Sequence, residues 1–512
     1  MLFQTAKNVV IDLTICFCSS THHSSVCQCN SKPLIWKRLE KDLLLGTSKQ
    51  TAWLFFALKE LKEVDTDEVV ITDIKICEDS PSNTTNETWV RRPGGIWLLR
   101  AKFTGDEQQY VTEIDILFGS DAVDPRPRWT IIQSPLRLNT KLEGLVAKLT
   151  IRRNGPAPAQ PCLPLRANED DKFKIVQFSD THVVTGVGLC KDASDANGQP
   201  LPESEADPFT ARLMSEILDV EKPDLVLLTG DQLHHDIADS QSAMFKVFAP
   251  MIERQIPYAA VFGNHDDEGT NALSRMAQMA LLQKLPFSLA QPGPHEVDGA
   301  GNYYLVIYDH TTSSIPVSTL YFLDSHGQIP SNIKDPDYEA IKPTQIEWFT
   351  KTSQSLRKKR EEQDSHNSPA YHLSLAFWHI PLPEYTDPNL SIIGGQRHEP
   401  TEGPSVNSHF YDALVKEGVV AVGCGHDHVN DFCGLLPAKG TTTTGPWLCH
   451  SGTCGFGGYC SYGTERYHRR ARVWEIDTTT GSLKSWKRVE YVGGRVDEIV
   501  LVEKGVVVPP HQ

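Results

Sequence analysis

The chain has 512 residues, of which 39% are hydrophobic and 22% charged, an ordinary balance for a folded protein and a poor one for a disordered chain. That length exceeds the size at which one core keeps growing, so one large and one smaller domain are expected. A formal net charge of -16 excludes a general nucleic-acid binder, whose surface must neutralise phosphates, and an anionic substrate would have to be held by metals or a local cluster.

No stretch reaches the roughly 18 consecutive apolar residues of a membrane-spanning helix, so no integral membrane span is expected. The opening MLFQTAKNVVIDLTICFCSS carries one Lys and a short apolar run broken by Asp12, a poorly formed signal peptide. Residues 1–45 read as an irregular leader in which Cys16, Cys18, His22, His23, Cys27 and Cys29 crowd together. A zinc site there is disfavoured, because C-x-C is not the usual structural spacing. The 12 cysteines follow neither a small disulfide scaffold nor a C-x2-C pattern. The cytoplasm is favoured over a secretory or vacuolar location. The Asn-x-Ser/Thr triplets at Asn83, Asn86 and Asn389 would matter only in a secretory chain.

Residues 46–152 alternate apolar and polar positions in EVVITDIKI, GIWLLRAKF, YVTEIDILF and LVAKLTIRR, separated by turn-rich pieces, and predict an antiparallel β-rich accessory domain. Residues 153–171, rich in Pro and polar residues, read as a linker. From 172 to 512 short apolar strands alternate with helical patterns: KIVQF, PFTARLMSEILDV, DLVLL, SAMFKVFAPMIERQ and YAAVF, then YYLVI, LYFLDS, a helix over 343–360, LSLAFW and VVAVG. The order is that of an α/β domain. The basic run from Arg357 to Arg360 reads as a solvated helix face rather than a nuclear signal.

Five of these strands end in residues that can hold a metal: Asp180 and His182 after KIVQF, Asp231 after LVLLTG, Asn264, His265 and Asp266 after YAAVFG, His379 after LSLAFW, and His426 and His428 after VVAVGCG. Side chains at the carboxyl ends of strands in an α/β sheet can converge on one pocket although they lie far apart in sequence. Carboxylates with imidazoles suit two divalent cations (Mn, Fe or Zn). Asp231 is the natural bridge between ions about 3.5–4 Å apart, and water held between them would ionise near neutral pH to a metal-bridging hydroxide.

The order D-x-H, G-D, G-N-H-D, H, G-H-x-H resembles the calcineurin-like metallophosphoesterase superfamily over about residues 172 to 480. The resemblance implies a four-layer α/β/β/α sandwich. It implies a first metal on Asp180, His182, Asp231 and His428, and a second on Asp231, Asn264, His379 and His426. His265 corresponds to a non-ligand histidine that contacts the phosphoryl group and can protonate the leaving oxygen, and Asp266 is expected to orient its ring. The chain departs from the purple acid phosphatase branch, whose D-x-G is D-x-H here and whose ligand tyrosine gives way to His234. A colourless centre is the expectation. With VDPRPRW in the leading segment and GFGGY near the end, the layout resembles fungal cell-cycle-regulator phosphatases and plant purple-acid-phosphatase-like proteins.

The implied function is hydrolysis of phosphate monoesters, on phosphoproteins or small phosphomonoesters. The alternatives are a phosphodiesterase or nucleotide pyrophosphatase on the same core, and a binding module without turnover. Arg397, in a Gly-rich loop with His398, Glu399 and Glu402, is a candidate substrate contact alongside Asn264 and His265, with plain solvent exposure the equal alternative. His234 and His235 read as supporting or surface residues. Cys424 reads as a small buried hydrophobe, and Cys449, Cys454 and Cys460 have no pairing that sequence assigns.

Overall fold

The computed structural model describes residues 7–19, 36–43, 45, 50–81, 88–106, 108–138, 145–155, 164–202, 204–310, 315–330, 337–363, 371–437 and 444–510. His22, His23, Cys27, Cys29, Asn83 and Asn86 lie outside them. The chain divides into two compact units, one of residues 1–159, 185–187 and 241–249, the other of 160–184, 188–240 and 250–512.

The first unit holds three small antiparallel sheets of three strands each. Alternation of side chains places Leu13, Leu54, Ile71, Ile74, Leu98, Ile114, Ile116 and Leu149 in one shared core. Part of the expected irregular leader is ordered here. Asn8–Ser19 is a strand paired with Gln50–Glu60, and Trp36–Asp42 lies on the other side of that partner. The physical reason is the period-2 pattern around Asp12, whose inward carboxylate is neutralised by Arg92 (2.7 Å) and Arg100 (2.8 Å). A charge that breaks an apolar run as a signal thus serves as a half-buried ion pair in a strand.

The second unit is built on two mixed sheets of eight and seven strands. In the seven-stranded sheet Lys172–Phe178, Leu225–Thr229 and Tyr258–Val261 run parallel, and three antiparallel strands, Arg470–Asp477, Ser482–Val489 and Val496–Glu503, extend it on the other side. In the eight-stranded sheet Pro316–Phe322, Leu373–Phe377, Val419–Cys424 and Trp447–His450 run parallel. The sheets meet where Phe377 stands edge-on to Trp474 at 5.8 Å and Gln177 reaches the carbonyl of Cys424 at 3.2 Å. The far face of the eight-stranded sheet is covered by helices Pro343–Gln363 and Phe410–Glu417, whose Phe349, Phe410 and Leu414 pack with Trp378 and Val422. This is sheet packed on sheet with helix outside, the layering that the resemblance implies. Strands buried on both faces read as continuous apolar runs, which is why they were visible in the sequence.

Candidate dimetal site

Each parallel strand that carries a site residue ends in a sharp turn. Asp180, His182, Asp231 and His426 all adopt left-handed backbone, with φ of 55°, 46°, 49° and 74°. Such conformations cost energy in non-glycine residues and persist where surrounding structure holds them. Here the loops hold one another: the Asp180 amide donates to the carbonyl of Gly230 (3.1 Å) and the His182 amide to that of Asp231 (3.0 Å). The motif glycines are steric necessities. A Cβ on Gly230 would lie 2.4 Å from His379 Nδ1, and one on Gly263 2.2 Å from Asp231 Oδ1.

Two groups of ligand atoms result. Asp180, His182 and His428 offer atoms within 4.8 Å of one another, as do Asp231, His379 and His426, and all six residues are buried. Asp231 spans the groups, its Oδ2 lying 3.2 Å from His379 Nε2 and 3.8 Å from His182 Nε2. Asp180 Oδ1 lies 3.5 Å from His428 Nε2.

The donor set fits divalent metals on three counts. Buried polar atoms are ordinarily hydrogen-bonded, yet Asn264 Oδ1, His379 Nε2 and His426 Nε2 are buried with no hydrogen-bond partner. Second, ring tautomers are set from behind. His379 Nδ1 donates to the Thr229 carbonyl (2.8 Å) and His428 Nδ1 to the Tyr459 carbonyl (2.7 Å), leaving each Nε2 as a lone-pair donor. His182 Nδ1 meets His234 Nδ1 at 3.2 Å, and its Nε2 faces His428 Nε2 at 3.0 Å. Third, the charges are those of a cation site. Burial drives His182 and His426 well below the usual imidazole range and His428 down to about 3, so these rings are neutral, as ligands must be. Burial also acts to lower His379, but Asp231 overrides it and lifts the ring to about 9. The carboxylates therefore draw positive charge to this spot.

His265 sits beside this cluster, its ring centroid 5.5 Å from that of His182. Its Nδ1 is engaged by Glu268, not by Asp266. Asp266 is fully buried, and its two oxygens accept from the amides of Gly263 (2.7 Å), Leu233 (2.9 Å) and Asp231 (3.0 Å). The expected ring-orienting part of Asp266 is thus filled by Glu268. Asp266 splices the G-D loop to the G-N-H loop, because both its oxygens are consumed by backbone donors. Spacing alone could not have separated two acidic residues one and three positions after the histidine.

Arg397 is not gathered into the cluster: its guanidinium donates to the Tyr385 carbonyl (2.6 Å) and lies over Phe432 at 5.3 Å. Cys424 is fully buried at the end of its strand. His235 lies against His234 with ring centroids 4.1 Å apart and planes tilted by 52°. The GFGGY segment gains a physical part. Tyr459 stacks on His428 at 3.9 Å with planes 4° apart, and Gly458 is so close that a Cβ would meet His428 Cε1 at 2.5 Å and His182 Cδ2 at 2.7 Å. Tyr459 is anchored in turn by Glu399 (2.9 Å).

Asn264 and Glu268 also line an open cleft of about 690 Å³ whose other walls include Asp267, Arg275, Asp324 and His326. Arg275 is committed to Asp324 (2.6 Å), Asp267 (3.1 Å) and the Gly263 carbonyl (2.8 Å), so it braces the G-N-H loop.

Residues 173–430 match the family model described as calcineurin-like phosphoesterase. Phosphatase DCR2 of Saccharomyces cerevisiae is 36% identical over 75% of this chain and 65% of its own length, so the match leaves about a third of that protein unspanned. An Arabidopsis thaliana protein named probable inactive purple acid phosphatase 29 is 37% identical over 65% of this chain and 86% of its own. Among solved structures, a dimetal phosphatase from Danio rerio aligns at a TM-score of 0.40 and 12% identity, over 64% of this chain and 98% of that one. From the family match and the plant relative, the chain belongs to the calcineurin-like phosphoesterase family and has the metallophosphoesterase fold.

Proposed function

We propose that this protein is a phosphatase that hydrolyses phosphate monoesters, with phosphoproteins as its substrate class. The observation that carries the reading is the pair of buried ligand groups joined through Asp231. Asp180, His182, Asp231 and His428 would hold one divalent ion, and Asp231, Asn264, His379 and His426 the other. Two such ions supply Lewis-acid neutralisation of the phosphoryl oxygens. His265, its Nδ1 occupied by Glu268, keeps Nε2 to give a proton to the departing alcohol oxygen. The carbonyls of Tyr459 and Thr229 hold two imidazoles in the ligand tautomer, and His234 stands against Nδ1 of a third, His182. The cleft beside Asn264 has room for a leaving group much larger than the phosphate itself.

The plant relative is named as an inactive protein. In this chain all seven ligand candidates are present, and what departs from the purple branch is the D-x-G glycine replaced by His182 and the tyrosine replaced by His234. The test is turnover of an aryl phosphate monoester beside its aryl diester by protein stripped of metal and reloaded with Mn. Preference for the monoester and activity on phosphopeptides support the reading. Preference for the diester reassigns it to phosphodiester chemistry, and no turnover with two metals bound overturns it in favour of a binding module.

A further inference from the structure

The compartment, for which the sequence favours the cytoplasm, is addressed by two features of the structure. Cys433 and Cys449 stand directly opposite each other on antiparallel strands and are joined by a disulfide, with both residues fully buried. Cys16 and Cys18 of the Asn8–Ser19 strand are disulfide-bonded as well. Cytosolic thiols are held reduced, whereas structural disulfides persist in secreted, lumenal and vacuole-bound proteins. The Cys433–Cys449 bond is sealed inside a sheet, away from solvent, and this is the setting of a structural bridge rather than of an accessible redox sensor.

The second feature is the triplet Asn389-Leu390-Ser391. Asn389 is exposed in the turn after Pro383–Thr386, and its Nδ2 makes only a surface hydrogen bond, to Asp387 at 3.0 Å. Leu390 is buried beneath it and fixes the turn, while Ser391 is exposed at the head of the strand Ser391–Ile393. That strand is the edge of the eight-stranded sheet and pairs with the strand that carries Cys433. An unprotected edge invites pairing with another chain, and a bulky polar group at its head would block it.

We propose that the chain matures in an oxidising compartment, where the Cys433–Cys449 bond forms and Asn389 becomes an N-glycosylation site. The two thiols pass two electrons and two protons to a disulfide carrier protein, whose S–S bond breaks as theirs forms and which leaves as a dithiol. At Asn389, Nδ2 forms a bond to the anomeric carbon of a lipid-pyrophosphate-linked oligosaccharide. The C–O bond to pyrophosphate breaks, the lipid pyrophosphate leaves, and the amide proton goes to a base of the transferase.

The experiment is peptide mass mapping of the full chain produced in a eukaryotic host, alkylated without reduction, with and without an amidase that removes N-glycans in heavy-oxygen water. The expected result is a Cys433–Cys449 linked peptide that separates on reduction, and an Asn389 peptide seen only after deglycosylation, as a heavy-oxygen aspartate. Ser391→Ala should abolish the glycan while aryl phosphate turnover is unchanged. Alkylated Cys433 and Cys449 would overturn the compartment, and an unmodified Asn389 peptide in a disulfide-bonded chain would overturn the site.

Discussion

Glu268, three residues after His265, takes the Nδ1 side of its ring, while the adjacent Asp266 is turned inward onto three backbone amides. The two acids therefore do different work, and substitution separates them. Glu268→Gln is expected to lower turnover while two metals stay bound, and His265→Ala to lower it by about 100- to 10,000-fold, the range of a lost general acid. Asp266→Asn, which turns an acceptor against the backbone donors around Asp231, is expected to cost metal loading as well. Metal content measured beside turnover checks all three. Equal metal loss in Glu268→Gln would show that Glu268 is structural.

Gly458 lies between the rings of His428 and His182. A single added methyl cannot fit without pushing both rings, so Gly458→Ala should weaken metal affinity by about 10- to 100-fold, the usual effect of disturbing the support of ligands. The fold should be retained, since the displaced atoms are side-chain tips. A chelator titration followed by circular dichroism checks this. Unchanged affinity would mean that the two rings do not share an ion.

Asp431, three residues beyond His428, accepts from Lys487 at 2.7 Å, from the Gln396 amide at 2.9 Å and from Arg470. Burial acts to raise this carboxyl, but Arg470 and Lys487 outweigh it and hold it at about 2. Because the folded value lies below the unfolded one, the stabilisation is complete above about pH 4 and is lost as pH falls through about 2. It is worth on the order of 2 kcal/mol. Asp431→Asn should destabilise by about 3 kcal/mol by leaving buried cations undercompensated, and should flatten the fall in stability between pH 4 and 2. Denaturant midpoints across that window measure both effects.

Much of the site was legible because its chemistry is carried by short motifs after strands buried on both faces. Asp180, His182, Asp231, Asn264, His379, His426 and His428 all stood in that position in the sequence, and six of them fall in the two ligand groups. What was not legible depends on direction rather than on residue type. Glu268 instead of Asp266, the tyrosine stacked on His428 and the histidine behind His182 are set by side-chain rotamers and by loops that meet from distant parts of the chain. The helix Arg275–Leu282 and the three C-terminal strands were missed, the first two of those strands because Arg472, Ser485 and Lys487 are buried polar residues that interrupt the apolar pattern. Arg472 is satisfied by the carbonyls of His450 and Asp431 and by Ser485, pairings invisible before folding.

The most direct test of a paired metal centre is the metal content of Asp231→Asn beside the unsubstituted protein, after both are stripped, reloaded with Mn and freed of excess ion. Because Asp231 reaches both ligand groups, the unsubstituted chain should hold two ions and Asp231→Asn should lose both to leave close to none. Retention of two ions by Asp231→Asn, or a single ion in the unsubstituted chain, would contradict the bridge.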